Sequence, residues 1–546
     1  MAKRSSSRRS RTAFSKSAFT AGKVQSSASQ SGSIQAENNL RPDLPGDFCR
    51  ALETQLGVSE ATALCGALDG VSPVSVRFNP YKIQQSASDA GGESDRPSVG
   101  TAIADNGQPF FDAVSKENEF SNDIVQGNSF VNGIWPNLLQ GNEVPWCPDG
   151  YYLPERPSFT LDPMFHAGGY YVQEAGSMFI GQIFRQLYGA NPEHSLRVLD
   201  LCAAPGGKTT LLSTLVGESG LVVANEVIRQ RAATLVDNVR KWGLGNTVGT
   251  NNDPSHFAAF RHYFDLVLVD APCSGEGMFR KTPEARNEWS AANVNLCAAR
   301  SRRILSDVWD ALKPGGILIY STCTFNQQED EETVKWLVEE YGCESVSVAA
   351  DPAWGIVQGE VAGCPTFRFF PHRVQAEGFF AAVLRKPDER SKSQAPKARK
   401  AIFNALSRRE VVAVSSWFAH PERMTYQKVG DNIHAYFAEQ WSAIKELSES
   451  LSVLYSGVLC GQLFGEKLRP EHPLALFYGL SREQLFVTEL ETEEAVNYLR
   501  KTDLPADRFQ EGINLVTYRG LALGWIKRIG NRCNNMYPKE LRIVNL

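Results

Sequence analysis

Short apolar runs alternate with amphipathic stretches through the middle of the chain. From Ser195 onward, RVLDLCA (197–203), LVVANEV (221–227), DLVLVDAP (265–272), GILIYSTC (316–323) and EGFFAAVLRK (377–386) each read as a strand. Between them Leu235, Val239 and Trp242 recur at helical spacing, as do Leu305, Val308 and Leu312. Buried strands alternating with amphipathic helices predict the α/β class, with a doubly wound, Rossmann-like sheet. Such sheets hold ligands outside the carboxyl ends of their strands, so residues at those ends carry the functional argument.

The flanks follow other patterns. Residues 1–40 are rich in Ser, Arg and Lys and poor in large apolar side chains, which predicts a disordered basic arm. An organelle transit peptide shares that composition; an inert tail or an arm that touches phosphates fits it better. A folded N-terminal segment (41–170) begins near Leu44 and contains a Ser/Gly/Asp-rich stretch, 84–108, with the character of a flexible insertion. The α/β domain is expected over 171–387. The polar, proline-containing PDERSKSQAPKARK (387–400) marks a linker at 388–400, and 401–546 forms a separate C-terminal region.

Composition adds limits. At 42% hydrophobic and 21% charged residues, the chain has the make-up of a soluble globular protein. No run of apolar residues is long enough to span a membrane. A net charge of −5 argues against a protein coated in nucleic acid but leaves room for a local basic groove. The 11 cysteines include no CxxC pair, so neither a disulfide framework nor a metal site is expected, and reduced thiols point to the cytoplasm.

Four features then carry chemistry. LDLCAAPGGKTT (199–210) is a strand, a small-residue turn and a helix start, which lets the backbone approach a ligand closely. It lacks the glycine required to begin a phosphate-binding loop, because Cys202 stands there, and it lacks the dinucleotide Gly-x-Gly-x-x-Gly pattern. S-adenosylmethionine, which carries no phosphate, fits what remains; a purely structural turn is the alternative. Glu226 ends the next strand, where an acid can accept both ribose hydroxyls of an adenosine-containing cofactor. Asp253 could meet the adenine amino group or simply cap a turn before Pro254. VDAPCSGEGMFRK (269–281) and YSTCTFNQQEDEETV (320–334) each put a cysteine just past a strand end.

Taken singly, each cysteine reads as a small buried hydrophobe. Together they match what carbon 5 of cytosine demands. That carbon is a poor nucleophile until a thiolate adds to carbon 6; an acid at ring nitrogen 3 stabilises the adduct, and a base later removes the carbon 5 proton. Cys323, Asp270 and the 199–210 turn supply the thiol, the carboxyl group and the methyl-donor site on one sheet edge, and Cys273 is a candidate for releasing the adduct.

With these motifs in order, the sequence resembles the NOL/NOP/Sun family of RNA cytosine-5 methyltransferases. The resemblance implies that Cys202, Ala203, Ala204, Pro205, Gly206, Gly207, Lys208, Glu226, Asp253 and Asp270 bind S-adenosylmethionine or lie against it. It implies Cys323 as nucleophile and Cys273 as the releasing cysteine, with Asp270 facing both ligands and Lys208 reaching the substrate or the carboxylate. VRFNPYK (76–82) is similar to the family's RNA-contact segment, with Arg77, Asn79 and Lys82 at its polar positions. YVQEAGSM (171–178) and FRFFPHRVQAEGFF (367–380) resemble the entry to the catalytic domain and its closing strands. WCPDGYYL (146–153) and the tail GWIKRIGNRCNNMYPKELRI resemble a member with an added PUA-like RNA-binding module, which implies small-subunit (16S) ribosomal RNA as substrate for a cytoplasmic monomer. Three rivals stay open. Transfer RNA is one, and a catalytically silent ribosome-assembly factor on the same fold is another. A DNA cytosine enzyme is the third, although there the Pro-Cys cysteine is itself the nucleophile.

Overall fold

The computed structural model describes residues 41–83, 142–388 apart from 191 and 193, 396 and 402–544. The basic arm 1–40, the 84–108 insertion and most of the expected linker lie outside the described residues. Two helices, Gly46–Leu56 and Val58–Leu68, precede a four-stranded sheet. It comprises β1 (Val74–Phe78), β2 (Glu143–Val144), β3 (Cys147–Leu153) and β4 (Tyr170–Val172), in the order β2-β3-β1-β4.

The central sheet has nine strands. Parallel β5 (Arg197–Asp200), β6 (Leu221–Asn225), β7 (Thr247–Thr250), β8 (Phe264–Asp270) and β9 (Leu312–Thr322) form its middle. β10 (Val357–Val361), β11 (Cys364–Phe369) and β12 (Phe379–Arg385) extend it antiparallel beyond β9. Successive residues of a strand point to opposite faces, and here both faces are dry. Leu266 and Leu268 of β8, with Ile317 and Ile319 of β9, join one apolar layer together with helices Phe179–Tyr188 and Gly207–Val216. Val267, Val269, Leu318 and Tyr320 join the other, with Ile304, Leu305 and Val308 of helix Ala291–Val308. Leu312, expected on that helix's stripe, instead opens β9.

The C-terminal region is less separate than its linker implies. β13 (Asn404–Ala405), β14 (Met424–Val429), β15 (Asn432–Phe437), β17 (Val458–Phe464) and β18 (Lys467–Pro470) make a five-stranded sheet of their own. β16 (Val453–Ser456) leaves them and pairs antiparallel with β7, giving the central order β10-β11-β12-β9-β8-β5-β6-β7-β16. Ile444 and Leu447 of helix Trp441–Ser450 enter the second apolar layer beside Val248. An open β7 edge next to apolar side chains would be a pairing hazard, and this segment covers it. The chain ends in a four-stranded sheet of β19 (Phe486–Glu489), β20 (Gly512–Tyr518), β21 (Leu521–Ile529) and β22 (Arg532–Asn535). Among the described residues no helix is long and apolar enough to cross a membrane.

The polar positions of VRFNPYK do not face outward as an RNA-contact segment would require; Arg77, Asn79 and Lys82 are all buried. Arg77 Nε donates to Gln173 Oε1 (2.8 Å), its Nη2 donates to Thr210 Oγ1 (2.7 Å), and its guanidinium lies 4.5 Å over the Trp242 ring. Asn79 Nδ2 donates to the Trp242 carbonyl (2.8 Å) and Lys82 Nζ to the Lys241 carbonyl (2.8 Å). Those carbonyls close helix Arg229–Trp242 and have no partner within it, so the segment just past β1 serves as a cap. Burial drops the Lys82 amine to about 7. Arg77→Ala is therefore expected to cost about 3 kcal/mol or more, through a cavity and stranded polar partners. Denaturant midpoints check the loss. The salt dependence of RNA binding should stay unchanged, whereas a phosphate-contacting arginine would lower its slope by about one.

Candidate active site

The chain reverses its strand order between β5 and β8, and the candidate site lies outside the carboxyl ends there, where doubly wound sheets bind ligands. After β5 the chain turns through Leu201–Gly206 and enters helix Gly207–Val216. Gly206 sits at φ +114°, a conformation that side chains disfavour, and a Cβ there would meet Leu235 Cδ1 at 3.2 Å. Asn225 pins the neighbouring strand ends. Its Nδ2 donates to the carbonyls of Leu201 (3.2 Å) and Asn252 (3.0 Å), and its own carbonyl accepts from Ala203 N (2.8 Å).

Beneath the turn Asp200 is fully buried. Its Oδ2 accepts from Thr209 Oγ1 at 2.6 Å, while Oδ1 is buried with no partner among the described residues. Burial, partly opposed by the Thr209 bond, pushes its carboxyl up to about 7. Glu226 is buried too: Oε1 accepts from Ile228 N (2.8 Å), and Oε2 pairs with Arg231 (3.2 Å), which also donates to the Ala204 carbonyl (2.8 Å). Burial pushes the Cys202 thiol well up, which makes it a packing residue more than a reagent. Asp253 follows the end of β7. Its Oδ1 accepts from Ser255 N and Oγ at 3.1 and 2.7 Å, so it caps the short helix Pro254–Ala259, the turn-cap alternative open in the sequence.

On the other side of the turn, Lys208 Nζ donates to Asp270 Oδ2 at 2.8 Å, and Asp270 Oδ1 accepts from Ser321 Oγ at 2.7 Å. Burial works against the Lys208 charge, but Asp270, with Asp200 and Cys323 adding to it, lifts the amine above its ordinary value. It is a fixed ammonium within electrostatic reach of Cys323. The two loops after β8 and β9 bring Cys273 Sγ and Cys323 Sγ to 2.9 Å. The hydrogen bond to Cys323, then burial, hold the Cys273 thiol well above the ordinary range. The two sulfurs lie within hydrogen-bond distance, where either can donate, and Cys273 Sγ also accepts from Cys323 N at 3.3 Å.

The structure brings Lys208, Asp270, Cys273 and Cys323 into one cluster, with the 202–208 turn and Glu226 adjoining it. Asp200, Ser321, Glu276, Asn326 and Glu329 belong to the site and went unread in the sequence. All five fall inside the same motifs, two to six residues from a residue already singled out. Close packing makes the Cys273 loop intolerant of bulk: a Cβ on Gly277 would lie 2.5 Å from the Gly378 carbonyl oxygen. Gly277→Ala is expected to cost roughly 1–3 kcal/mol as an overpacked contact, read as a lowered melting temperature.

Three family models match the chain. They are described as 16S rRNA methyltransferase RsmB/F over residues 188–385, methyltransferase RsmF PUA domain over 485–543, and N-terminal domain of 16S rRNA methyltransferase RsmF over 122–175. Ribosomal RNA small subunit methyltransferase F of Klebsiella pneumoniae (strain 342) is 33% identical over 427 residues, covering 76% of this chain and 87% of the relative. The protein of the same name from Cronobacter sakazakii is 32% identical and covers 76% and 88%. Among solved structures, NSun6 from Pyrococcus horikoshii with SFG matches at 21% identity, covering 64% of this chain and 99% of that one, with a TM-score of 0.44.

Proposed function

We propose, since the chain belongs to the ribosomal RNA small subunit methyltransferase F family, that it methylates carbon 5 of a cytosine in small-subunit ribosomal RNA through a covalent adduct with Cys323. It is an S-adenosylmethionine-dependent RNA methyltransferase carrying a PUA domain. The observation that carries the finer reading is the thiol pair at 2.9 Å beside the Lys208–Asp270 ion pair.

The residues fit the cofactor. The 202–208 turn presents backbone and small side chains, Asp200 holds a buried oxygen without a partner, and Glu226 places a carboxylate at the end of β6. A donor set of acids and free backbone groups suits a cationic, phosphate-free adenosine compound. When bound, S-adenosylmethionine supplies an electrophilic methyl group. Asp253 would lie at the rim of that site.

Cys323 Sγ adds to carbon 6 of the ring, and the displaced electron pair makes carbon 5 nucleophilic. Lys208 and Asp270 hold charge and a proton against ring nitrogen 3 and stabilise the adduct. Carbon 5, once methylated, loses its proton to a base; the returning electron pair reforms the ring double bond and expels Cys323. The Cys273 sulfur, 2.9 Å from that of Cys323, supports its reading as that base. The target base must leave its stack, at a cost of a few kcal/mol that contacts from the flanking regions would offset. We place the reaction in the cytoplasm on a monomer, with 171–387 as catalytic domain and 41–170 and 401–546 as RNA-contacting flanks.

The test is tritium transfer from labelled S-adenosylmethionine to small subunits, naked ribosomal RNA and bulk transfer RNA, followed by nucleoside analysis. Label in 5-methylcytosine of a small-subunit substrate is the expected result. Label only in transfer RNA would overturn the substrate, and cofactor binding without transfer to any RNA would favour a silent assembly factor.

A further inference from the structure

We propose that Glu276 and Glu329 form a reciprocal clasp that positions Cys273 against Cys323, each carboxylate holding the backbone that follows the opposite loop's cysteine. Glu276 belongs to the Cys273 loop, yet its Oε2 accepts from Thr324 Oγ1 (2.9 Å), Phe325 N (2.7 Å) and Asn326 N (3.1 Å), all just past Cys323. Glu329 belongs to the Cys323 side, yet it accepts from Ser274 N (3.0 Å), the residue just past Cys273. Asn326 ties the two together. Its Nδ2 donates to Glu276 Oε1 (3.0 Å) and Glu329 Oε1 (2.8 Å), and its carbonyl accepts from Glu329 N (2.8 Å). Gly277 N donates to the Cys323 carbonyl (2.8 Å), a fourth stitch between the loops.

Both carboxylates are essentially inaccessible to solvent, at 1% for Glu276 and 0% for Glu329. Burying two acids around one amide is expensive, and apolar side chains could pack two loops at lower cost. Carboxylates give what packing does not: several directed acceptors that fix backbone amides, and through them the two sulfurs. Burial pushes the Glu329 carboxyl up to about 7, so the pair need not hold two full charges at neutral pH. These are positioning residues. They act through the thiols, and the inference rests on the reading that both thiols work on one base.

Two readouts separate the clasp from that reading. The first is independent of RNA: diamide takes two electrons and two protons from the thiol pair, and the Cys273–Cys323 bridge is followed by the mass of the linked peptide. In Glu329→Gln and in Asn326→Ala, bridging should slow by roughly tenfold or more, because the sulfurs are no longer held together. The second is turnover. kcat should fall by about 10²-fold with KM for RNA unchanged, and covalent protein–RNA adduct should persist on denaturing gels. A merely structural role would lower the folded fraction without accumulating adduct. Bridging at the wild-type rate in a folded variant overturns the clasp. If Glu329→Gln does not fold, Asn326→Ala, which keeps both carboxylates, decides on the same readout. If folded Cys273→Ala forms no adduct with any RNA while the clasp variants still bridge slowly, the adduct mechanism falls and the clasp stands.

Discussion

Cys323→Ala is expected to reduce methyl transfer on the order of 10⁴-fold or more, while S-adenosylmethionine affinity stays within about twofold. The size follows from the chemistry. Without a sulfur bonded to carbon 6, the ring offers no electron-rich carbon 5, and positioning the methyl donor cannot replace that activation. The selectivity follows from the architecture. The residues assigned to the cofactor lie on the turn after β5 and at the end of β6, whereas Cys323 follows β9 on the far side of Asp270. Calorimetry for the cofactor and tritium transfer for the reaction measure the two separately. Loss of cofactor affinity in a folded variant would mean that Cys323 borders the methyl-donor site in place of the base.

The sheet and its two cysteine edges were legible because their physics is local. Parallel strands covered on both faces must be apolar at consecutive positions, so Leu266–Val269 and Ile317–Tyr320 announce themselves. A turn that must let a ligand reach backbone is written in small residues, as at Cys202–Gly207. What stayed hidden depends on distant partners. Arg77, Asn79 and Lys82 look like an outward polar face, and only the fold shows that Asn79 and Lys82 satisfy carbonyls at the end of a helix far along the chain while Arg77 bonds Gln173 and Thr210. Glu329 and Asp330 sit in the acidic run EDEE, which reads as a solvated surface. The fold buries both, one on Ser274 N and Asn326, the other on Arg368 at 3.0 Å. β16 was beyond reach for the same reason: its pairing with β7 depends on an open edge some two hundred residues earlier.

The same geometry makes Cys273→Ala the more informative substitution. In the resting site the Cys273 thiol is held protonated first by its hydrogen bond to Cys323 and then by burial. The proposed mechanism gives Cys273 the later task of taking the proton from methylated carbon 5, once Cys323 is a thioether on carbon 6. Removing the sulfur leaves Cys323, Lys208 and Asp270 in place, so methyl transfer to carbon 5 should proceed once per enzyme while release slows by roughly 10²–10⁴-fold, the span of a lost general base. Denaturing electrophoresis with labelled RNA should show a covalent band that wild-type enzyme does not accumulate, with up to one tritiated methyl per trapped protein. Turnover at the wild-type rate with no band would assign the proton to another base, and Asp270, bonded to Ser321 and Lys208, would be the next residue to change.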